Sequence, residues 1–157
     1  MIKKTLLGVA ISLAIACPSV ANAQGKGWTA SFSQGILEHI VRNEPGTEFN
    51  ISCDTRATDD ASRTGLFVLI KNQSPPMDSK IRVIVDKKDF IFFVTDEGIQ
   101  IDSHAASGNF YAMWEALRKG KSMRVAFANG LSSTFSLANA RKALGSKVCD
   151  HGFTGRF

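Results

Sequence analysis

Two cysteines, Cys53 and Cys149, constrain this chain more than any other feature, because they are the only thiols left once its first 23 residues are read as a removable leader. Those residues, MIKKTLLGVAISLAIACPSVANA, carry Lys3 and Lys4, an apolar run from Thr5 to Ala16, a break at Pro18, and small residues at Ala21 and Ala23. A basic start, a short apolar stretch and an A-x-A end mark a secretory signal peptide, here cut before Gln24. The apolar run is about a dozen residues, short of the roughly twenty that a helix needs to span a bilayer. A second reading takes AIAC at 14–17 as a lipoprotein box with Cys17 acylated. Ala14 stands where Leu is usual and the ANA site downstream matches better, so soluble export to the periplasm is the expectation.

Export and the cysteine count reinforce each other. Cys17 leaves with the leader, the compartment beyond is oxidising, and a single pair has a single connectivity. A Cys53–Cys149 bridge closes a loop of about 96 residues, for which chain-entropy reasoning gives about 4–5 kcal/mol as an upper figure. Other readings of the pair are weaker. No histidine stands at zinc-finger spacing from either cysteine, and there is no C-x-x-C redox motif.

Residues 24–157 are one domain by length and long enough to bury a core. With Lys3 and Lys4 removed, 17 basic residues face 14 acidic ones, a net charge of +3. The basic residues are scattered (Lys87–Lys88, Arg118 to Arg124, Arg141–Lys142) with Phe, Asp and Gly between them. That pattern fits ordinary solvated faces rather than a nucleic-acid surface.

Hydrophobic period then sorts the chain into strands. GWTASF (27–32) and ILEHIVR (36–42) are short mixed runs, and Pro45–Gly46 signals a turn. EFNISCD (48–54) sets Phe49, Ile51 and Cys53 against Asn50 and Ser52, a period of two. The polar TRATDDASRTG (55–65) reads as a loop. LFVLIK (66–71) is a continuous apolar run and reads as a buried central strand, broken by Pro75–Pro76. KIRVIVD (80–86), DFIFFVT (89–95) and IQID (99–102), joined by the turns at 87–88 and 96–98, continue a meander.

In GNFYAMWEALRKG (108–120), Phe110, Met113, Trp114 and Leu117 form one helical stripe, with Asn109 as the expected cap and Gly120 as the stop. SMRVAFA (122–128) and SSTFSL (132–137) flank the Asn129–Gly130 turn. ANARKALGSKV (138–148) is a second short helix, and 150–157 a loose tail. The expected fold is α+β: a mainly antiparallel, β-sandwich-like domain with two short helices in the C-terminal half.

Chemistry-bearing residues do not gather into a motif. His39, His104 and His151 lack metalloprotease spacing, and His39 reads as a structural residue within a strand. His104, in IDSHAASG, has Asp102 and Ser103 beside it, but a catalytic triad is a geometry across the fold rather than a run of neighbours, and no G-x-S-x-G elbow is present. Asp54, Asp59 and Asp60 flank a polar loop without the setting of a glycosidase carboxylate pair. DEG at 96–98 is a turn, not a twelve-residue calcium loop. Trp28 and Trp114 read as core. No catalytic, metal-binding or cofactor-binding residues are expected from these patterns.

The order of elements carries a resemblance. The ISCD strand, KIRVIVD, DFIFFV, the helix within NFYAMWEALRKGKSMRVAF and the closing STFSLANARKALGSKVC resemble the VasI/TagO-type periplasmic accessory proteins of type VI secretion over residues 49–149. Phe135, Leu137, Ala143, Leu144 and Cys149 fit that family's closing segment, while Asn139 or Ala140 stands where it prefers Gly. A looser likeness, over 116–144, is to the invasion-associated locus B proteins. The resemblance implies a non-enzymatic periplasmic accessory or binding protein, tied to secretion or host interaction, whose partner is another envelope protein. The alternative is a periplasmic inhibitor or immunity protein that blocks a cell-wall-degrading enzyme with an exposed loop, 55–65 or 72–79.

Overall fold

Alternation along each strand decides which side chains face inward, and the resulting apolar faces are what two sheets bury against each other. A computed structural model describes residues 27–56 and 64–149. The first sheet runs β1 (Thr29–Ser33), β2 (Ile36–Arg42), β3 (Glu48–Asp54), β4 (Gly65–Leu69), each strand antiparallel to its neighbour. The second contains β5 (Ser79–Val85), β6 (Lys88–Thr95), β7 (Gly98–Ile99), β8 (Ser122–Phe127) and β9 (Ser132–Ser136) in the spatial order β7-β6-β5-β8-β9. Helix α1 (His104–Lys119) carries the chain from β7 to β8, and α2 (Ala140–Leu144) follows β9. The fold is therefore α+β, mostly antiparallel, with both helices late in the chain. The leader, Cys17, Asp59, Asp60, His151 and the tail from 150 lie outside the described residues.

The inner faces meet in one apolar cluster. Phe49 and Ile51 of β3, Ile81 and Val83 of β5, Phe92 of β6 and Met123 and Val125 of β8 are almost fully buried. Phe49 reaches across to Phe135 of β9, with ring centroids 6.3 Å apart, and Trp28 meets Phe49 edge-on at 5.7 Å. The expected alternation holds along β5, and along β3 except at Asn50, which is buried on the outward side.

Five expectations need adjusting. The apolar run at 66–71 is an edge strand, not a central one: among the described residues β4 pairs only with β3, and Phe67 and Leu69 point outward while Leu66, Val68 and Ile70 are buried. An apolar residue on the solvent side made an alternating strand look continuous. Helix α1 begins six residues earlier than its Asn109 suggested. Ser103 is the cap, its Oγ accepting from the Ala106 amide at 3.3 Å, and the helix-favouring alanines 105 and 106 extend it backward. Asn109 instead donates to the Ile91 carbonyl at 2.9 Å.

The third correction is α2, a single turn held between Asn139 and Gly145, both at positive φ. By contrast, Gly120 ends α1 as expected, but not through a left-handed turn. Its backbone passes so close to Val85 and Leu137 that a Cβ there would lie 2.6 Å from Val85 Cγ1. The strand expected at 99–102 contracts to β7, and the strand expected from 27 begins at Thr29.

The stripe of α1 faces this core: Phe110, Met113, Trp114 and Leu117 are fully buried. Long-range polar contacts close the ends of the sandwich. The Trp28 amide donates to the Ala138 carbonyl at 2.9 Å, and Asn43 Nδ2 donates to the Thr134 carbonyl at 3.0 Å and to Ser133 Oγ at 3.2 Å. Among the described residues, no helix is long and apolar enough to cross a membrane.

Candidate functional site

Register places a histidine beside the disulfide. Cys53 of β3 is bonded to Cys149, just beyond α2, with their Cα atoms 5.5 Å apart. Across the β2–β3 ladder, Leu37 opposes Cys53 and His39 opposes Ile51. His39 therefore stands diagonal to Cys53 on the same inward face, within reach of it. A His39 ring nitrogen and the two sulfurs all lie within 4.8 Å of one another, and all three residues are buried. The sequence offered no sign of this, because 14 residues separate His39 from Cys53 and only the strand register joins them.

The surroundings of His39 are apolar. It is 3% exposed, and the Trp114 ring stands perpendicular to it at 5.2 Å. Burial pushes the imidazole pKa below its usual value, because a charged ring loses its hydration there; a hydrogen bond to the Ala143 backbone acts the other way. Nδ1 is buried without a hydrogen-bond partner among the described residues. A buried imidazole with one nitrogen near the two sulfurs, and with Nδ1 unpartnered, is thus built into the junction of β2, β3, α1 and the segment after α2.

The other residues weighed from sequence fall elsewhere. His104 is the exposed first residue of α1 and Ser103 its cap, so the Asp102–Ser103–His104 run forms the start of a helix. Asp54 is engaged by Arg56, with Arg56 Nη2 at 3.1 Å from Asp54 Oδ2. Asp96 and Glu97 sit in the β6–β7 turn, as expected. Trp28 and Trp114 are both buried.

Two surfaces stand out. On the outer face of the second sheet, Ile91 and Phe93 of β6 are 43% and 55% exposed. Lys80 and Arg82 of β5 oppose Phe93 and Ile91 in register, and Lys80 Nζ lies 4.8 Å above the Phe93 ring. Arg124 of β8 lies on the same face opposite Ile84, and Asp89 pairs with Arg82. The face is apolar and mostly cationic.

The second surface is the turn between β4 and β5, tipped by Met77 at 67% exposed. That turn is tied down: Ile70 and Gln73 form a bridge, the Asn72 amide donates to the Gly46 carbonyl at 2.8 Å, and Ser79 Oγ donates to the Pro76 carbonyl at 2.5 Å.

Comparison with known proteins adds a family. A YfjT family model matches residues 26–144, 119 of the 157 residues. The chain belongs to the YfjT family. No curated protein and no solved structure gives a significant match. The YfjT match takes in all the described strands, both helices and Cys53, and stops five residues before Cys149.

Proposed function

We propose that this YfjT-family chain is a non-enzymatic binding protein of the periplasm, exported by a signal peptide cut before Gln24, that docks another envelope protein through the outer face of its second sheet. The observation that carries the reading is Ile91 and Phe93 held in solvent among Lys80, Arg82 and Arg124. Exposed aromatic and aliphatic groups beside cations suit a partner surface that offers apolar contact with an acidic rim. The leader pattern, the cysteine pair and the likeness to secretion accessory proteins over 49–149 support the compartment and the accessory role.

A photo-crosslinking residue at position 93, introduced into the exported protein, tests the docking face. A discrete crosslinked partner that disappears in the Arg82→Glu, Arg124→Glu variant is expected. Crosslinks that form equally well from an exposed position on α2, such as 142, would remove the face from consideration. Intact mass beginning at Gln24 checks export, and acyl mass on Cys17 would replace it with a lipid anchor.

One observation favours the inhibitor reading as a second possibility: the braced 72–79 turn presents Met77 as a preorganised protrusion, the form that a plug for an enzyme cleft takes. Crosslinks from position 77 to a cell-wall hydrolase, with none from 93, select that reading over the first.

A further inference from the structure

We propose that Cys53, Cys149 and His39 become, when their disulfide is reduced, a buried three-ligand site for a soft divalent d10 cation such as Zn(II). The geometry is the first argument. Metal–sulfur and metal–imidazole bonds of about 2.3 and 2.0–2.1 Å set ligand atoms roughly 3.5–4 Å apart around a tetrahedral ion. The three atoms already lie within 4.8 Å of one another, so parting the two sulfurs and small side-chain rotations complete the set.

Chemistry is the second argument. Thiolate and imidazole are the ligands that soft d10 ions take, and the His39 ring is buried with Nδ1 lacking a hydrogen-bond partner among the described residues. Charge is the third. A site this buried penalises net charge, and two thiolates, one neutral imidazole and one divalent cation sum to zero. The fourth position falls to water, as in open zinc sites.

Reduction gates the site, because disulfide sulfurs carry no thiolate charge to offer. A phosphine reductant cleaves the sulfur–sulfur bond, is itself oxidised by two electrons to the phosphine oxide, and leaves two thiols, with water supplying the oxygen and both protons. A dithiol achieves the same with its own two hydrogens. Metal binding then displaces both thiol protons.

The test titrates Cd(II), as the spectroscopic stand-in for Zn(II), into the anaerobic, phosphine-reduced full chain and into the oxidised chain. Expected are a thiolate-to-metal charge-transfer band saturating at one equivalent, release of two protons per metal, and no band in the oxidised protein. His39→Gln should weaken binding by at least about tenfold, since even partners that only orient a ligand cost that much. Zn(II) should compete the band away.

Equal affinity in the wild type and His39→Gln, equal affinity in the urea-unfolded chain, or no one-to-one saturation would overturn the proposal. Should the reduced chain lose its fold before metal is added, recovery of the native circular-dichroism signal by Zn(II) in the wild type, but not in His39→Gln, supports the site. Failure of Zn(II) to restore it refutes the site.

Discussion

The first sheet, β1 to β4, is closed by residues from the far end of the chain, whereas the second, β5 to β9, is completed largely by its own hairpins and by α1. Cys53 is held by Cys149, Trp28 by Ala138, Asn43 by Thr134 and His39 by Trp114, all ties of long sequence separation. In the second sheet, β5–β6, β6–β7 and β8–β9 join over short turns, and only β5–β8 crosses a long stretch. The four-stranded first sheet pairs only sequence neighbours within its own ladders and is then fastened by these distant ties, whereas the five-stranded second sheet has its one long closure, β5–β8, inside the sheet itself. In both, the entropy of a long loop closure must be met before its contacts form. Loss of a tie should therefore be felt first in β1 to β3.

The largest effect is expected at the side chain that serves both sheets. Trp114 lies on α1 against the second sheet's core and stacks edge-on with His39 of the first. Trp114→Ala should cost about 3–5 kcal/mol, the range for deleting a buried large aromatic, read as a lowered urea midpoint. A cost below about 0.5 kcal/mol, as for a surface change, would mean that the helix does not couple the sheets.

Removing the disulfide should cost about 2–5 kcal/mol, more than a surface tie and less than its chain-entropy ceiling if the reduced chain keeps structure. The sharper reading is where the loss appears. In the Cys53→Ala, Cys149→Ala double variant, amide exchange should accelerate in β1–β3 more than in β5, β6 and β8. Equal acceleration in both sheets would break the comparison and make the bridge a global staple.

A smaller effect distinguishes the two candidate starts of α1. Ser103→Ala should cost about 1 kcal/mol for a lost cap, with Asn109→Ala costing less, since it surrenders one exposed bond to the Ile91 carbonyl. The reverse order would return the helix start to the position that the amino-acid pattern suggested.

That pattern was informative where one face alone was apolar. The inward sets Phe49–Ile51–Cys53 and Ile81–Val83–Val85 and the helical stripe ending in Leu117 were legible because period determines them, and the cysteine pair because the expected leader leaves a single connectivity. β4 was misjudged because Phe67 and Leu69 are apolar on the solvent side, so its period disappeared. The start of α1 was misjudged because a serine cap and two alanines leave no apolar mark. The His39–Cys53–Cys149 junction was invisible for a different reason: diagonal neighbours on two strands are fixed by register, which no local spacing encodes.

The smallest effect concerns the outer faces, where the two sheets differ again. On the first, Phe67 opposes Asn50, which in turn opposes Ile40, and both of those are buried although they face outward. The Phe67 ring also lies over Gly65, where an added Cβ would strike it. Phe67 thus has a structural share in its own face. On the second sheet, Phe93 has Lys80 above its ring, a contact worth about 0.5–1 kcal/mol at an exposed site. Phe67→Ser should therefore lower the urea midpoint measurably, whereas Phe93→Ser should stay within about 1 kcal/mol of the wild type. If Phe93→Ser destabilises as much as Phe67→Ser, the aromatic is holding the sheet and is not held in reserve for a partner. If it is silent in stability yet abolishes the crosslink formed from a probe placed at position 91 on the same face, the exposed ring is kept for contact.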